Sequence, residues 1–232
     1  MREIVLDTET TGFDPSAGDR IIEIGCVELM NHLATGKTYH VYLNPERDIP
    51  AEATAVHGIT NEFVKDKPTF GEVVGDFMEF IGDARLVIHN AEFDMKFLNA
   101  ELKIFGFPSL DYRRALDTVK MAREKFPGSP ANLDALCRRF NIDNTSRTFH
   151  GALLDSQLLA EVYLEMLGGR QQGLGISNEP VKTAGQQKMD QAERVFREAR
   201  NFFPTEEEKA AHDKMVDGLK DPLWKKEIKA LR

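Results

Sequence analysis

An α/β domain built on a mixed sheet, continued by a linker and a helical tail, is the architecture this sequence predicts. Three observations carry it. Short, β-branched apolar runs with brief polar connections fill the chain up to Pro45. Helical apolar spacing then alternates with short buried-type strands. Beyond Gly169 the apolar periodicity stops in a Gly- and Gln-rich stretch, and amphipathic helical patterns follow it.

The elements follow in order. "EIVLDTE" (3–9) is short, apolar and β-branched and reads as a strand. "RIIEIGCVELM" (20–30) and "GKTYHVYLNP" (36–45) read as the second and third, with the polar "NHLATG" as a hairpin-like connection. Three consecutive strands with short links make an antiparallel meander. "AEATAVHGIT" is helical in spacing, as is "EVVGDFMEFIGD", where Val73, Val74, Phe77, Phe80 and Ile81 share a face. "RLVIHN" is a buried-type strand running straight into the helix "AEFDMKFLNAELKIF", with Asn90 placed to cap it. "RRALDT" reads as a fifth strand leading into "VKMAREKF". "NLDALCRRF" and "GALLDSQLLAEVYLEML" complete a domain over residues 1–169. Residues 170–187 form the linker and 188–232 the tail. Its first helix, "AERVFREARNFFP", is amphipathic, and its second opens with Thr205 and Glu208 spaced as a capping box.

Composition excludes some functions. The 232 residues are 41% hydrophobic, as in an ordinary soluble protein, and no apolar run approaches the roughly 20 residues of a membrane span. "MREIVLDTE" reaches charge too early for a signal peptide, so a cytoplasmic location without membrane contact is expected. Cys26 and Cys137 lack metal-like spacing and read as reduced core thiols. A net charge of −8 argues against binding nucleic acid through bulk charge. A polyanionic partner would require a local inversion of the field, which bound divalent cations supply.

The chemistry is concentrated in a few acids. Asp7 and Glu9 alternate on one strand and therefore face the same way. Two carboxylates so placed repel, and one takes up a proton unless a cation compensates; Mg²⁺ and Mn²⁺ prefer such oxygen donors. A D-x-E pair by itself is also compatible with a solvated strand end. Asp94 falls in the first turn of a helix that follows a strand directly. Asp155 lies among Leu153, Leu154, Leu158 and Leu159, five residues after His150, where an aspartate should usually avoid burial and, taken alone, also reads as facing solvent.

In order, these residues read D-x-E, then N-x-x-F-D, then H-x-x-x-x-D. With "LDTETTG", "VHGIT", "HNAEFD", "NLDALC" and "HGALLDSQLLAEVY", the chain resembles the DEDD superfamily of 3′→5′ exonucleases, in its histidine-bearing, DnaQ-like subclass. The resemblance covers roughly residues 1–169 and is closest to the proofreading branch that serves bacterial replicative DNA polymerase III. It implies a ribonuclease H-like fold: a five-stranded mixed sheet flanked by helices. It implies two divalent metal ions, Mg²⁺ or Mn²⁺, about 4 Å apart. Asp7 would bridge both, Glu9 and Asp155 would hold the ion carrying the attacking water, and Asp94 would complete the second site. His150 would be the general base, in a polar loop ("DNTSRTFH") read as mobile. The substrate would be the 3′ end of single-stranded or frayed DNA, met by Asp7, Glu9, Thr10, His57 and Phe93. Backbone N–H groups of Thr10-Thr11-Gly12 would grip the terminal nucleotide, with Gly12 allowing close approach. Phe93 reads equally as core. His89 reads as structural, and His32, His40 and His212 as surface residues.

The tail reads as a tether. "QQGLGI" resembles the bacterial sliding-clamp motif, with Gln171, Leu174 and Ile176 filling small pockets. Phe196, Phe202, Phe203 and Trp224 are aromatic anchors the short tail cannot bury by itself, and the resemblance implies that they bind the alpha subunit of DNA polymerase III. A flexible stretch of about 16 residues spans roughly 20–25 Å and sustains an effective concentration near a millimolar, offsetting weak end binding. The same five catalytic-type residues also suit an exoribonuclease trimming RNA 3′ ends, against which the tail argues. A non-catalytic adaptor between polymerase and clamp is the remaining alternative, against which the intact acid set argues.

Overall fold

The computed structural model describes residues 1–145, 147, 149–169 and 203–220. The chain divides into two compact units, Met1–Ser177 and Asn178–Arg232.

The first unit is organised around β1 (Arg2–Thr10), whose apolar, β-branched sequence makes it the centre of a five-stranded sheet. Strand β2 (Ile21–Met30) lies antiparallel on one side of it, and β3 (Leu33–Tyr42) forms the edge beyond. On the other side β4 (Arg85–Ile88) and β5 (Ala115–Asp117) run parallel to it, giving the order β3-β2-β1-β4-β5. This is the mixed sheet the resemblance implied.

The connection between β2 and β3 is tighter than the polar run "NHLATG" suggests. The turn is only Asn31-His32, both at positive φ (51° and 69°), which matches the twist of a two-residue hairpin. Leu33 and Ala34 therefore pair with Met30 and Leu29 of β2, and β3 begins three residues before the predicted start.

Helices cover both faces because β1 alternates. Ile4 and Leu6 enter a core with Phe70, Val74, Phe77 and Ile81 and with Met95, Phe97 and Leu98. Val5 points to the opposite face, into a core with Leu133 and Leu136 and with Leu158, Leu159, Val162 and Met166. Two short helices, α1 (Ala51–His57) and α2 (Asn61–Val64), precede α3 (Phe70–Ile81). Helix α4 (Ala91–Ile104) follows β4, and α5 (Thr118–Lys125), α6 (Leu133–Phe140) and α7 (Ala152–Met166) follow β5. Cys26 and Cys137 are free and buried in the two opposite cores.

Asn90 departs from its expected role. It sits at the N-cap of α4 in the left-handed region (φ 70°, ψ 55°), and its side chain makes no capping bond. Asn tolerates that conformation better than most residues, so it serves the turn between β4 and α4. In the second unit, Thr205 and Glu208 close the predicted capping box of α8 (Glu206–Asp217). Among the described residues no helix is long and apolar enough to cross a membrane. Gln171, Leu174, Ile176, Phe196, Phe202 and Trp224 lie outside the described residues. Phe203 is described and is 83% exposed.

Candidate active site

The C-terminal end of β1 opens into a cleft of about 930 Å³. The parity that sends Val5 toward α7 sends Asp7 and Glu9 the same way. Helix α7 brings Asp155 to that face in its first turn, and two features set its distance. Gly25, paired with Asp7, has no Cβ, and one built there would lie 2.2 Å from backbone atoms of Ala152 and Leu153. The Ser156 hydroxyl donates to the Gly25 carbonyl at 2.9 Å, fastening the helix at this contact.

Asp94 arrives from the other face. Thr8, of opposite parity to Asp7 and Glu9, donates to Asp94 Oδ1 from its N–H at 3.1 Å and its hydroxyl at 2.7 Å. One Asp94 oxygen is thus occupied and oriented within the protein. Asp94 and Asp155 are 3% and 4% exposed, so the apolar setting of Asp155 in the sequence does end in burial.

Burial is the largest influence on these acids. It raises Asp7 well above the usual carboxylate range, with Asp94, Glu9 and Asp155 adding repulsion. Burial, then Glu23 and Asp155, push Glu9 up to about 8. Asp94 is raised to about 7 by burial, against the Thr8 hydrogen bonds, which pull it down. A cleft that makes carboxylates retain protons near neutral pH is one whose charge a cation would balance. Glu9, His150 and Asp155 each offer a ligand atom within 4.8 Å of the others, a donor set suited to a divalent ion.

His150 is half exposed, and its backbone N–H donates to the Val56 carbonyl at 3.2 Å. Its Nδ1 lies 3.9 Å from Asp155 Oδ2. His57 is buried and lines the cleft: its Nδ1 accepts from the Ile59 N–H at 3.0 Å, and its buried Nε2 has no hydrogen-bond partner among the described residues. Burial holds it below the ordinary histidine range. Phe93 serves both readings left open, since it packs on the core, 4.9 Å from the Phe97 ring, and lines the cleft. His89, also lining it, hydrogen-bonds Thr118 at 2.9 Å.

The Thr-Thr-Gly segment differs from expectation. The Thr10 hydroxyl donates to the Gly12 carbonyl at 2.6 Å, and the Thr11 N–H is already spent on the Arg20 carbonyl at 2.9 Å. A Cβ on Gly12 would meet Asp19 Oδ2 at 2.3 Å, so the close approach that Gly12 permits is to Asp19. Two histidines read as surface residues are engaged with buried acids: His32 Nδ1 with Glu3 and His40 Nε2 with Glu23, each at 2.7 Å.

Three site residues escaped the sequence reading. Glu23, 2% exposed, pairs in register with Glu9 and was visible only as one residue of a strand. Thr8 was hidden between the two acids of the motif. Arg147 lies in the loop read as mobile, yet its guanidinium grips Asp155 Oδ1 at 2.6 Å, Asp155 Oδ2 at 2.7 Å and Asp134 Oδ1 at 2.9 Å. Its place three residues before His150 was the available signal.

The exonuclease family model RNase T matches residues 4–163. DNA polymerase III subunit epsilon of Rickettsia felis is 48% identical over 228 residues, covering 94% of this chain and 97% of that one. The subunit of the same name from Escherichia coli K12 is 46% identical over 224 residues, covering 93% and 92%. Among solved structures, the nuclease domain of 3′hExo, a DEDDh family member bound to rAMP, superposes with a TM-score of 0.61 at 24% identity, covering 72% of this chain and 92% of that one, which establishes the likeness of fold. A match over most of the first unit, and relatives aligned across nearly the whole chain, place it plainly: the chain belongs to the exonuclease family and, within it, to the DNA polymerase III epsilon subunits.

Proposed function

We propose that this chain is the 3′→5′ proofreading exonuclease of a bacterial replicative polymerase, releasing 5′-mononucleotides from mispaired 3′ ends of DNA. The observation that carries the reading is the convergence of Asp7, Glu9, Asp94 and Asp155 with His150 around one cleft, beside a buried His57 nitrogen that has no hydrogen-bond partner among the described residues. The donor set fits divalent cations, Mg²⁺ or Mn²⁺: Asp7 would bridge two of them, Glu9 and Asp155 would hold one, and Asp94 would help hold the other. Such ions, when bound, neutralise the carboxylates, acidify water and stabilise charge on the leaving 3′-oxygen.

The protein's own groups do the rest. His150, half exposed at the cleft mouth, takes the proton of the attacking water. His57 Nε2 and the Phe93 ring meet the terminal nucleotide, with Thr10 beside them. Mispaired ends fray more readily, so a cleft that accepts a single strand selects errors. The tail would carry the alpha subunit, with Phe202, Phe203 and Trp224 as anchors, and residues 171–176 would engage the sliding clamp in the cytoplasm; the support for both is the sequence of these segments.

The test is 3′-end degradation with Mg²⁺ on matched single-stranded DNA and RNA. Asp7→Ala should abolish cleavage of DNA, and His150→Ala should lower kcat by about 10²–10⁴-fold, the usual weight of a general base. RNA cleavage alone would replace proofreading with RNA trimming. Full activity in Asp7→Ala would remove the metal assignment.

A further inference from the structure

Arg147 has no part in the function just described, yet it is the cation most tightly built into the site. Its side chain is 9% exposed. Its two-pronged grip takes both oxygens of Asp155, and a third bond anchors it to Asp134. The Nη2 atom also lies 3.2 Å from His150 Nδ1. It therefore bridges Asp155 Oδ2 and His150 Nδ1, which are themselves 3.9 Å apart. These are the two residues whose ligand atoms cluster with that of Glu9.

A divalent ion drawing on Asp155 and a guanidinium drawing on the same two oxygens carry like charge in a poorly solvated place, and their repulsion there is strong. We propose that Arg147 is the resident counter-ion of the Glu9–Asp155 site and competes with the divalent cation for Asp155. In the metal-free protein the guanidinium holds the buried carboxylate and occupies His150. Loading of the site displaces it, and the same movement frees the His150 ring. Metal occupancy and availability of the base are then one event. Arg147 is a positioning residue in this account, and the inference rests on the reading of Glu9 and Asp155 as cation ligands.

The experiment needs no substrate. The full chain is titrated with MnCl₂ by calorimetry as wild type, Arg147→Gln, Arg147→Lys, Lys96→Gln and Asp155→Asn. Loss of a buried charge-assisted competitor should tighten Mn²⁺ binding about tenfold in Arg147→Gln. Arg147→Lys, which keeps the charge without the two-pronged grip, should fall between it and wild type. Lys96→Gln removes an exposed cation, paired with Asp14 beside the cleft, and should stay within about twofold of wild type. In the metal-free state Arg147→Gln should melt below wild type, and saturating Mn²⁺ should narrow the gap. The Arg147 Nε–H resonance should move and lose protection from exchange on saturation with Mg²⁺. An Arg147→Gln affinity equal to or weaker than wild type, an Nε–H signal indifferent to Mg²⁺, or equal tightening in Lys96→Gln would each overturn the proposal. Mn²⁺ binding unchanged in Asp155→Asn would overturn the cation-site reading itself. Should Arg147→Gln not fold, the Lys variant and the resonance carry the test.

Discussion

Asp94 shows how much a single neighbour decides. Thr8 fixes one of its oxygens with two donors, orienting a carboxylate that lines the cleft. Thr8→Val removes the hydroxyl and retains the N–H. Hydrogen bonds to charged groups contribute about 1.5–3 kcal/mol, so kcat/KM should fall roughly ten- to a hundredfold, with weaker Mn²⁺ binding, while Thr8→Ser stays near wild type. Equal loss in both variants would contradict the role given to the hydroxyl. The raised acids make a second prediction. Unfolded, Glu9 and Asp94 ionise near 4.5 and 3.8; folded and metal-free, they keep their protons to about 8 and about 7. Between those limits the native state holds protons the unfolded state has released, so stability is lost as pH rises across that window. The metal-free Tm should fall from about pH 5 to pH 8, less steeply in Glu9→Gln, and Mg²⁺ should flatten the slope; a flat metal-free profile would show these protons absent. The acids and His150 were legible in the sequence because their spacing is a motif. Thr8 was not, because its partner Asp94 is distant in the chain, and Glu23 and Arg147 were not, because neither belongs to the spaced motif.

The elements impose a different constraint, which is how closely α7 lies on β2. The Gly25 contact decides it. Gly25→Ala drives a methyl into helix backbone, where no side chain can swing aside. Overpacking typically costs about 1–3 kcal/mol, and here relief requires moving α7 and Asp155 with it. The variant should lose that much stability by urea unfolding and at least tenfold in kcat/KM; wild-type activity would show that the contact does not set the site. Strand parity was readable from alternation alone, and β1 follows it from Ile4 to Glu9. The start of β3 was not, since backbone dihedrals at Asn31 and His32, rather than polarity, place the turn. The loop before α7 holds a contact that its composition did not reveal: a polar run describes solvation, and Arg147 within it forms a buried ion pair with Asp155.

At the scale of the molecule, charge and tethering are linked. A chain of net charge −8 gains little from bulk attraction to DNA, so its local concentration at the primer end becomes decisive. Under the proposed clamp reading, replacing Gln171 and Leu174 together by Ala should leave the intrinsic rate on free single-stranded DNA within about twofold. Clamp-dependent excision should fall about ten- to a hundredfold, reading the motif as a tether rather than part of the cleft. A loss of intrinsic rate would contradict that division. The topology carries one more consequence, which concerns synthesis. Among the described residues the centre of the sheet, β1, precedes the other strands, while α7, which covers one of its faces and supplies Asp155, is the last element of the first unit. A nascent chain emerging from the ribosome therefore holds Asp7 and Glu9 long before it can assemble a cutting site. The cleft becomes a cutting site only once α7 has been made and has docked against the sheet.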